Sequence, residues 1–209
     1  MVILSLKKCY SIFNYSFLAK NQDLFNYANL AEFFRRELRP DCRPVAKDRV
    51  VSPCDGKVLI LGEIVDGMIE QVKGSSFTVD QFLGPPIDQN PNTDQPPKAF
   101  TYKGDDADNR VRYCQKLMRD SVANDLYYCV IYLAPGDYHR FHSPVDWTVH
   151  TRRHFPGQLY SVNPSITSWF DNLLVLNERV CLIGEWMHGF FSYTAVGATM
   201  VGSIKVVYE

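Results

Sequence analysis

The chain has 209 residues, 46% of them hydrophobic and 13% aromatic, with a formal net charge of −1 at pH 7. This composition suits one globular domain with at most a small appendage, and the near-neutral charge excludes a nucleic-acid-binding protein that relies on a broad basic surface. The six cysteines have no Cys-x-x-Cys spacing, so neither a zinc ribbon nor a disulfide framework is indicated. Cys129 and Cys181 lie in apolar runs, which predicts core positions.

The first 20 residues are apolar and aromatic but are interrupted by Lys7, Lys8 and Asn14. No uninterrupted apolar run approaches the roughly 18 residues that cross a bilayer. The segment also has neither the small-residue cleavage pattern of a secretory signal nor the arginine-rich character of a transit peptide. It therefore predicts no membrane span.

Residues 29–39 predict an amphipathic helix. Asn29 is a suitable N-cap, Glu32 stands three residues on as in a capping box, and Pro40 follows the last turn. The apolar stripe and the arginines near the C-terminal end leave two interpretations open. The helix either packs on the core, which is favoured, or lies at an interface and brings aromatics and arginines to anionic lipid head groups. The stripe consists of Leu30, Phe33, Phe34 and Leu38, and the arginines are Arg35, Arg36 and Arg39.

After Arg49 the pattern changes to short β-like runs separated by Gly, Pro, Asn and Asp. The runs are residues 57–64, 69–73, 127–133, 147–150, 180–185, 190–196 and 201–208. They predict an α+β fold that is rich in β-structure, with mainly antiparallel sheets and a few helices, including the N-terminal amphipathic one.

The same pattern divides the chain into a helical, membrane-proximal segment, residues 1–45, and a β-rich domain, residues 46–209. Residues 84–110 are rich in Pro, Asp, Asn and Gln and predict a long mobile surface loop. Helices are expected over residues 111–120 and from Asn163-Pro164 to about Leu174, because proline suits the first helical position.

The stretch most suggestive of chemistry is residues 133–144, where a buried strand ends at Pro135-Gly136 and two histidines follow. With a spacing of three in an irregular segment, His139 and His142 can converge on one site and exchange protons near pH 7. Alternatively, one histidine only ties down the turn by a hydrogen bond.

Asp55 lies far upstream and precedes Gly56 and an apolar run. The Asp-Gly pair most simply makes the turn that opens a strand. The functional alternative is that Asp55 orients an imidazole and stabilises its protonated form. A metal site formed by Asp55, His139 and His142 is the less favoured interpretation, and we predict none.

Two further patterns have an ordinary structural interpretation. Arg152, Arg153 and His154 form a basic cluster that suits a phosphate or carboxylate as well as a solvated strand end. Gly197 and Gly202 make no dinucleotide-binding loop, because strand-like residues surround them and no helix follows. They predict a bend or a close approach of the backbone.

The ordered motifs resemble the phosphatidylserine decarboxylases, the mitochondrial branch in particular, from about Tyr10 to the last residue. The matching segments are residues 29–38 (NLAEFFRREL), 52–58 (SPCDGKV), 70–74 (EQVKG), 133–144 (LAPGDYHRFHSP), 152–157 (RRHFPG), 161–164 (SVNP), 177–180 (NERV) and 195–204 (AVGATMVGSI).

The resemblance implies an enzyme that converts phosphatidylserine to phosphatidylethanolamine and carbon dioxide. Its cofactor would be a pyruvoyl group, formed when the precursor cleaves itself at a Gly-Ser bond and serving as an electron sink. By motif position, Asp55 and His142 resemble the self-cleavage pair, and His139 resembles the histidine of the decarboxylation step. The implied partners are phosphatidylserine, a membrane surface and an alpha chain that carries the pyruvoyl group; the implied location is the mitochondrial inner membrane.

The family normally continues to a Leu-Gly-Ser-Thr motif whose serine becomes the pyruvoyl group, and the 209 residues do not contain it. Mitochondrial members usually also carry a targeting sequence and a membrane anchor further upstream. We therefore expect a fragment of a precursor that is inactive by itself. The alternative is a truncated, inactive isoform or paralogue that binds lipid or a partner.

Overall fold

The apolar, β-branched runs of the sequence form strands, as their composition predicts. A computed structural model describes residues 18–72, 75–85, 107–164 and 172–207. The strands are β1 (Lys57–Glu63), β2 (Met68–Val72), β3 (Ser75–Thr78), β4 (Tyr127–Tyr132), β5 (Trp147–Phe155), β6 (Arg179–Trp186) and β7 (Gly189–Val196). The helices are α1 (Leu30–Phe34), α2 (Val79–Leu83), α3 (Ala107–Leu117) and α4 (Leu173–Leu176), with a short 3-10 turn over Leu24–Asn26.

The strands of the described residues pair antiparallel in three small sheets: β1 with β4, β2 with β3, and β5-β6-β7 in that order. The predicted α+β class with antiparallel sheets is therefore confirmed. In β6, the central strand of the largest sheet, every residue from Arg179 to Gly184 is buried. Both of its neighbours supply hydrogen bonds, and both of its faces are covered.

The main apolar core lies between the β2-β3 pair, helices α2 and α3, and strand β6. Its buried members are Ile69, Phe77, Val79, Leu83, Tyr113, Cys114, Cys181 and Ile183. Cys181 is a fully buried core residue, as predicted, but Cys129 is exposed. The prediction for Cys129 is wrong because Cys129 lies on the same face of the β1-β4 sheet as Leu61 and Tyr127, and this face is exposed to solvent.

Helix α1 begins as predicted but is shorter than the predicted helix. The side chain of Asn29 accepts a hydrogen bond from the Glu32 backbone N–H at 2.9 Å, which caps the first turn. The predicted helix over residues 29–39 is nevertheless wrong beyond Phe34. Residues 37–39 are extended and bond to residues 18–20, with the Lys20 N–H donating to the Glu37 carbonyl at 2.8 Å. Tertiary pairing overrides local helix propensity here.

Two element boundaries and one predicted strand also differ from the prediction. Helix α3 begins four residues before the expected range, and β5 continues to Phe155 rather than ending at His150. The strand predicted over residues 201–208 is wrong in its described part, where Ala198 and Val201 instead bond to each other across a turn. Met200 in this turn has a φ of 68°, which interrupts any extended run.

Gly197 and Gly202 allow the close approach predicted for them. A Cβ atom on Gly197 would lie 3.0 Å from both the Leu159 side chain and the Val201 carbonyl oxygen, and one on Gly202 would lie 2.9 Å from Leu159. Most of the predicted loop over residues 84–110 and much of the predicted helix after Asn163 lie outside the described residues. Within those residues, no helix is long and apolar enough to cross a membrane.

Candidate active site at the end of the β1-β4 pair

The turn after β4 presents both histidines from a fixed backbone. The Asp137 carboxylate accepts a hydrogen bond from the Ala134 N–H at 2.7 Å, and the Asp137 N–H donates to the Ala134 carbonyl at 2.9 Å. These two bonds close the Pro135-Gly136 turn. The next residues, from Tyr138 to His142, therefore start from a rigid strand end rather than from a free loop.

His142 is held against the segment that contains Asp55. Its backbone N–H donates to the Pro53 carbonyl at 2.7 Å, so the two chain segments lie side by side. Its Nε2 atom lies 3.1 Å from the Tyr138 hydroxyl, and the two rings are stacked at 5.7 Å between centroids. The imidazole is solvent-accessible while the Tyr138 ring is buried. This arrangement lets His142 exchange a proton with the phenol or with a group arriving from solvent.

Asp55 occupies the Asp-Gly turn that opens β1, as predicted. Gly56 has a φ of 122°, and a Cβ there would lie 2.5 Å from the Tyr132 carbonyl oxygen, so only glycine fits. Arg43 binds the Asp55 carboxylate through two hydrogen bonds of 2.7 and 2.6 Å. Arg43 is the main reason that the pKa of Asp55 is lowered, and the Tyr138 backbone N–H lowers it further.

No direct hydrogen bond joins Asp55 to His142 within the part of the chain that the structure describes. Tyr138 is the residue that relates to both, because its hydroxyl lies 3.1 Å from His142 and its backbone helps to lower the pKa of Asp55. The pairing of Asp55 with His142 during catalysis therefore remains a prediction. Arg43, whose guanidinium binds both oxygens of the Asp55 carboxylate, competes with His142 for that carboxylate.

His139 lies on the inner side of the same loop, against α1. Its Nδ1 atom is 2.8 Å from the Asp137 carbonyl oxygen, which can only accept, so Nδ1 carries the proton and Nε2 has a lone pair in the neutral ring. The edge of the Phe34 ring packs on the imidazole at 4.8 Å and 87°. Burial lowers the pKa of His139, and the charge of Arg36 lowers it further. His139 is thus neutral near pH 7, with Nε2 as its proton-accepting atom.

The α1 segment is fixed to this loop by a second contact. Arg140, between the two histidines, donates from Nε to the Arg35 carbonyl at 2.7 Å and from Nη1 to Glu37 at 3.3 Å. The interpretation of α1 as a helix packed on the core is confirmed for its aromatic face, because Phe33 and Phe34 are each 4% exposed. These two rings are therefore unavailable for the alternative role at a lipid surface.

The ion pair between Arg43 and Asp55 leads to a pH-dependent prediction. Because the pKa of folded Asp55 lies below its unfolded value of about 3.9, the pair contributes stability above that pH and loses it as the pH falls through the folded pKa. Arg43→Gln should lower the free energy of unfolding by about 1 kcal/mol at pH 7, a modest value because the Arg43 side chain is 43% exposed. The difference should shrink below about pH 4 in urea titrations.

Arg49→Gln is the matched control for this measurement, since Arg49 is an exposed arginine of the same segment. It should leave the unfolding free energy unchanged at both pH values. An Arg43→Gln difference that persisted undiminished at pH 3 would show that Arg43 stabilises the fold through contacts other than Asp55.

Comparison with known proteins decides the family. Residues 30–209 match the family model described as phosphatidylserine decarboxylase. The chain belongs to the phosphatidylserine decarboxylase family. The match includes every residue of the site above, from Phe34 to His142.

Curated members of the phosphatidylserine decarboxylase family share 39–50% of the aligned residues with this chain. The mitochondrial phosphatidylserine decarboxylase proenzyme of Cricetulus griseus is 50% identical over 189 residues, which cover 90% of this chain and 44% of the relative. Proenzyme 1 of Saccharomyces cerevisiae is 40% identical over 91% of this chain and 49% of its own length. Proenzyme 1 of Arabidopsis thaliana is 45% identical over 89% of this chain and 44% of its own length. The chain thus spans about half the length of the relatives it matches.

The basic cluster of Arg152, Arg153 and His154 lies outside this site. In β5, Arg152 and His154 are exposed, whereas Arg153 is half-buried and donates to the Leu83 carbonyl at 2.8 Å, so the basic cluster is divided between two faces. His154 lies 3.0 Å from Glu178. Within the described ranges, no three His, Cys, Asp or Glu side chains gather in a way that could hold a metal ion.

Sequence reasoning did not indicate Phe34 and Arg43 as residues of the site, and it gave Tyr138 and Arg140 no role of their own. Tyr138 and Arg140 belong to the histidine motif itself, so their proximity to the site was readable from the sequence. Phe34 and Arg43 come from the α1 region, about 100 residues away from the histidines in sequence. No local pattern indicates that this region folds onto the loop.

Proposed function

We propose that the protein supplies one part of a mitochondrial phosphatidylserine decarboxylase, which converts phosphatidylserine to phosphatidylethanolamine and carbon dioxide. The observation that carries the proposal is that the Asp55 turn lies beside the loop bearing Tyr138, His139 and His142 at one end of the β1-β4 pair, in a chain of this family. The relatives' names supply the substrate class and the mitochondrial location.

The side chains of the site have the chemistry that a pyruvoyl group needs from its neighbours, because they can donate and accept protons. Two imidazoles and a phenol can move protons, yet none of these groups can act as an electron sink. A pyruvoyl group, when bound, supplies the conjugated carbonyl that withdraws electrons as carbon dioxide leaves. The site residues would surround that group and manage the protons.

The geometry supports different roles for the two histidines. His139 is neutral and partly buried, so it can accept a proton at Nε2 and return it after the carboxylate has left. His142 is accessible and bonded to the Tyr138 hydroxyl, which suits removal of a proton from an attacking serine. Asp55 would stabilise the charged imidazole once Arg43 yields one carboxylate oxygen.

An exposed apolar face on the β1-β4 pair supports the proposal of an alpha chain as partner. Val58 is 55% exposed, Leu61 73% and Tyr127 67%, and all three belong to this sheet, as does exposed Cys129. Contiguous apolar surface on a two-stranded sheet favours coverage by further protein. We propose that the segment bearing the pyruvoyl group covers this face, which adjoins the histidine loop.

The direct test compares two proteins. One is the 209-residue chain alone, and the other is the same chain joined to the sequence that follows the matched region in the Cricetulus griseus relative. The joined protein should cleave itself and form phosphatidylethanolamine from phosphatidylserine in detergent micelles, as measured by lipid mass spectrometry. The 209 residues alone should form none. A joined protein that folds and cleaves but forms no phosphatidylethanolamine would refute the proposed activity.

We also propose peripheral contact with an anionic membrane through the start of α1 and the segments on either side of it. Phe25 is 98% exposed and Leu30 38%, and Lys20 and Arg39 are exposed in the adjoining segments. Sedimentation with anionic vesicles should exceed that with neutral ones, should weaken as salt is raised, and should retain an apolar part. Phe25→Ser should lower the salt-resistant part severalfold.

The matched control for membrane contact is Val122→Ser. Val122 is 96% exposed but lies in the turn between α3 and β4, away from α1. Its replacement should leave sedimentation unchanged. Equal sedimentation with anionic and neutral vesicles would contradict the electrostatic part, and equal loss in both variants would contradict the placement of the surface.

A further inference from the structure

Arg36 is a buried cation beside the histidine loop. It is 3% exposed, whereas Arg39, three residues further on, lies at the surface. Phe33 and Phe34 anchor α1 on the body of the protein, and the Arg36 N–H bonds to the Phe33 carbonyl at 3.1 Å, so the end of the helix carries the guanidinium inward with the two rings.

The guanidinium of Arg36 has few of the partners that a buried charge requires. Nη1 makes one long hydrogen bond to the Phe33 carbonyl, at 3.3 Å, and the group lies 4.6 Å from the centre of the Phe33 ring. Nε is buried and has no hydrogen-bond partner. In the part of the chain that the structure describes, no carboxylate forms an ion pair with Arg36, and Arg43 already holds Asp55.

Arg179 shows what a structural buried arginine looks like in the same protein. It is 5% exposed, and its three nitrogens donate to the carbonyl oxygens of Phe82, Val175 and Gln81 at 2.5–2.9 Å. Arg179 thus ties two helices to β6, and all its nitrogens are used. Arg36 is as deeply buried as Arg179 but does not make three such hydrogen bonds, which a purely structural role does not explain.

Arg36 lies next to the histidine loop, where its charge can act on a bound substrate. Phe34, two residues before Arg36, packs on the His139 ring at 4.8 Å, and Arg140 of the histidine loop donates to the Arg35 carbonyl at 2.7 Å. The buried guanidinium therefore lies where α1 meets the loop, and its charge also lowers the pKa of both Asp55 and His139. Arg43 already pairs with the carboxylate of Asp55, and the carboxylate of Asp137 is used in the turn before the histidines, so neither is bound to Arg36. The phosphatidylserine head group, with its phosphate, ammonium and carboxylate, carries one negative charge in excess.

We propose that Arg36 binds the phosphate of the phosphatidylserine head group and so places the serine portion at His139; this inference rests on the proposed function. A cation on the departing carboxylate would stabilise the substrate more than the transition state and would slow the reaction. A cation on the phosphate stabilises both states equally and only holds the substrate. Arginine also suits phosphate, because its fork can donate two parallel hydrogen bonds.

The test is a binding measurement that needs no turnover. Calorimetric titrations of the full chain in detergent would use glycerophosphoserine, glycerophosphoethanolamine, serine and inorganic phosphate as probes. Both glycerophosphodiesters should bind, and Arg36→Met should weaken both at least tenfold while Arg49→Met, at an exposed arginine outside the site, leaves them unchanged. Serine and inorganic phosphate should bind far more weakly than glycerophosphoserine, and the Arg36 substitution should not alter serine binding.

A stability readout separates binding from a structural role. Because the buried Nε of Arg36 has no partner, Arg36→Met should raise Tm by about 2–4 °C while it weakens ligand binding. An arginine that served only the fold would give the opposite sign. If the variant does not fold, the Nε–H resonance of Arg36 in the unaltered chain, assigned along its side chain, remains available and should shift on adding glycerophosphoserine.

Four results would overturn the inference. They are unchanged glycerophosphoserine affinity in Arg36→Met, an equal loss for serine, inorganic phosphate binding as tightly as glycerophosphoserine, and a resonance that does not move at saturation. If Arg36→Met weakened serine binding equally, the carboxylate of the substrate would lie at Arg36. If inorganic phosphate bound as tightly as glycerophosphoserine, Arg36 would belong to a site for free phosphate. Binding without any decarboxylation in the joined protein would instead refute the proposed function and leave this subsite intact.

Discussion

His142→Ala should block self-cleavage of the joined protein, slowing it by about 10²–10⁴-fold, whereas His139→Ala should allow cleavage and reduce decarboxylation by a similar factor. The two rings differ in surroundings, since His142 is accessible and bonded to Tyr138 while His139 is packed under Phe34. Gel electrophoresis of the fragments measures cleavage, and carbon dioxide release measures turnover.

His150→Ala is the control for both variants, because His150 is an exposed histidine of β5 outside the loop. It should cleave and turn over normally. Tyr138→Phe should slow cleavage less than His142→Ala, since it removes only the hydroxyl bonded to the imidazole. Normal cleavage in His142→Ala would contradict the assignment, and so would loss of cleavage in His139→Ala with unchanged folding.

Arg179→Met should cause a large loss of stability, about 3–5 kcal/mol. Three carbonyl oxygens, those of Phe82, Val175 and Gln81, would lose their donor, and the guanidinium would no longer lie 4.1 Å from the centre of the Phe155 ring. These contacts tie α2 and α4 to β6. Urea unfolding followed by far-UV circular dichroism measures the change.

Arg152→Met tests whether this loss is specific to the buried arginine. Arg152 is exposed on β5, the neighbouring strand of the same sheet, so its replacement should change the free energy of unfolding by less than about 0.5 kcal/mol. A loss below about 1 kcal/mol in Arg179→Met would contradict the view that Arg179 is structural and weaken its contrast with Arg36.

The sequence predicted the parts of the fold that depend on local pattern. The runs in β1, β4, β6 and β7 are apolar or β-branched and bounded by turn residues, and each forms a strand near its predicted limits. The Asn29 cap and the turn at Gly56 follow from side-chain chemistry within a few residues. The fold class followed from these elements, whereas the family was recognised by the resemblance of the sequence motifs.

Long-range contacts account for most of what the sequence did not predict. The end of α1 is set by pairing with residues 18–20, which local propensity cannot show. The exposure of Cys129 depends on whether other elements pack on its face of the β1-β4 sheet, where Leu61 and Tyr127 are also exposed, and the apolar run of β4 does not show this. In the site, Arg43 and Phe34 reach Asp55 and His139 from distant segments, so the histidine motif indicated the chemistry without these supporting residues.

The most direct test of the proposed activity is carbon dioxide release from phosphatidylserine labelled in the serine carboxyl group. The purified, cleaved joined protein should release the label, and treatment with a carbonyl reagent should abolish release by blocking the pyruvoyl group. The 209 residues alone should release none. Release by these residues alone, or release that resists the carbonyl reagent, would contradict the pyruvoyl-dependent mechanism and the roles given to His139 and His142.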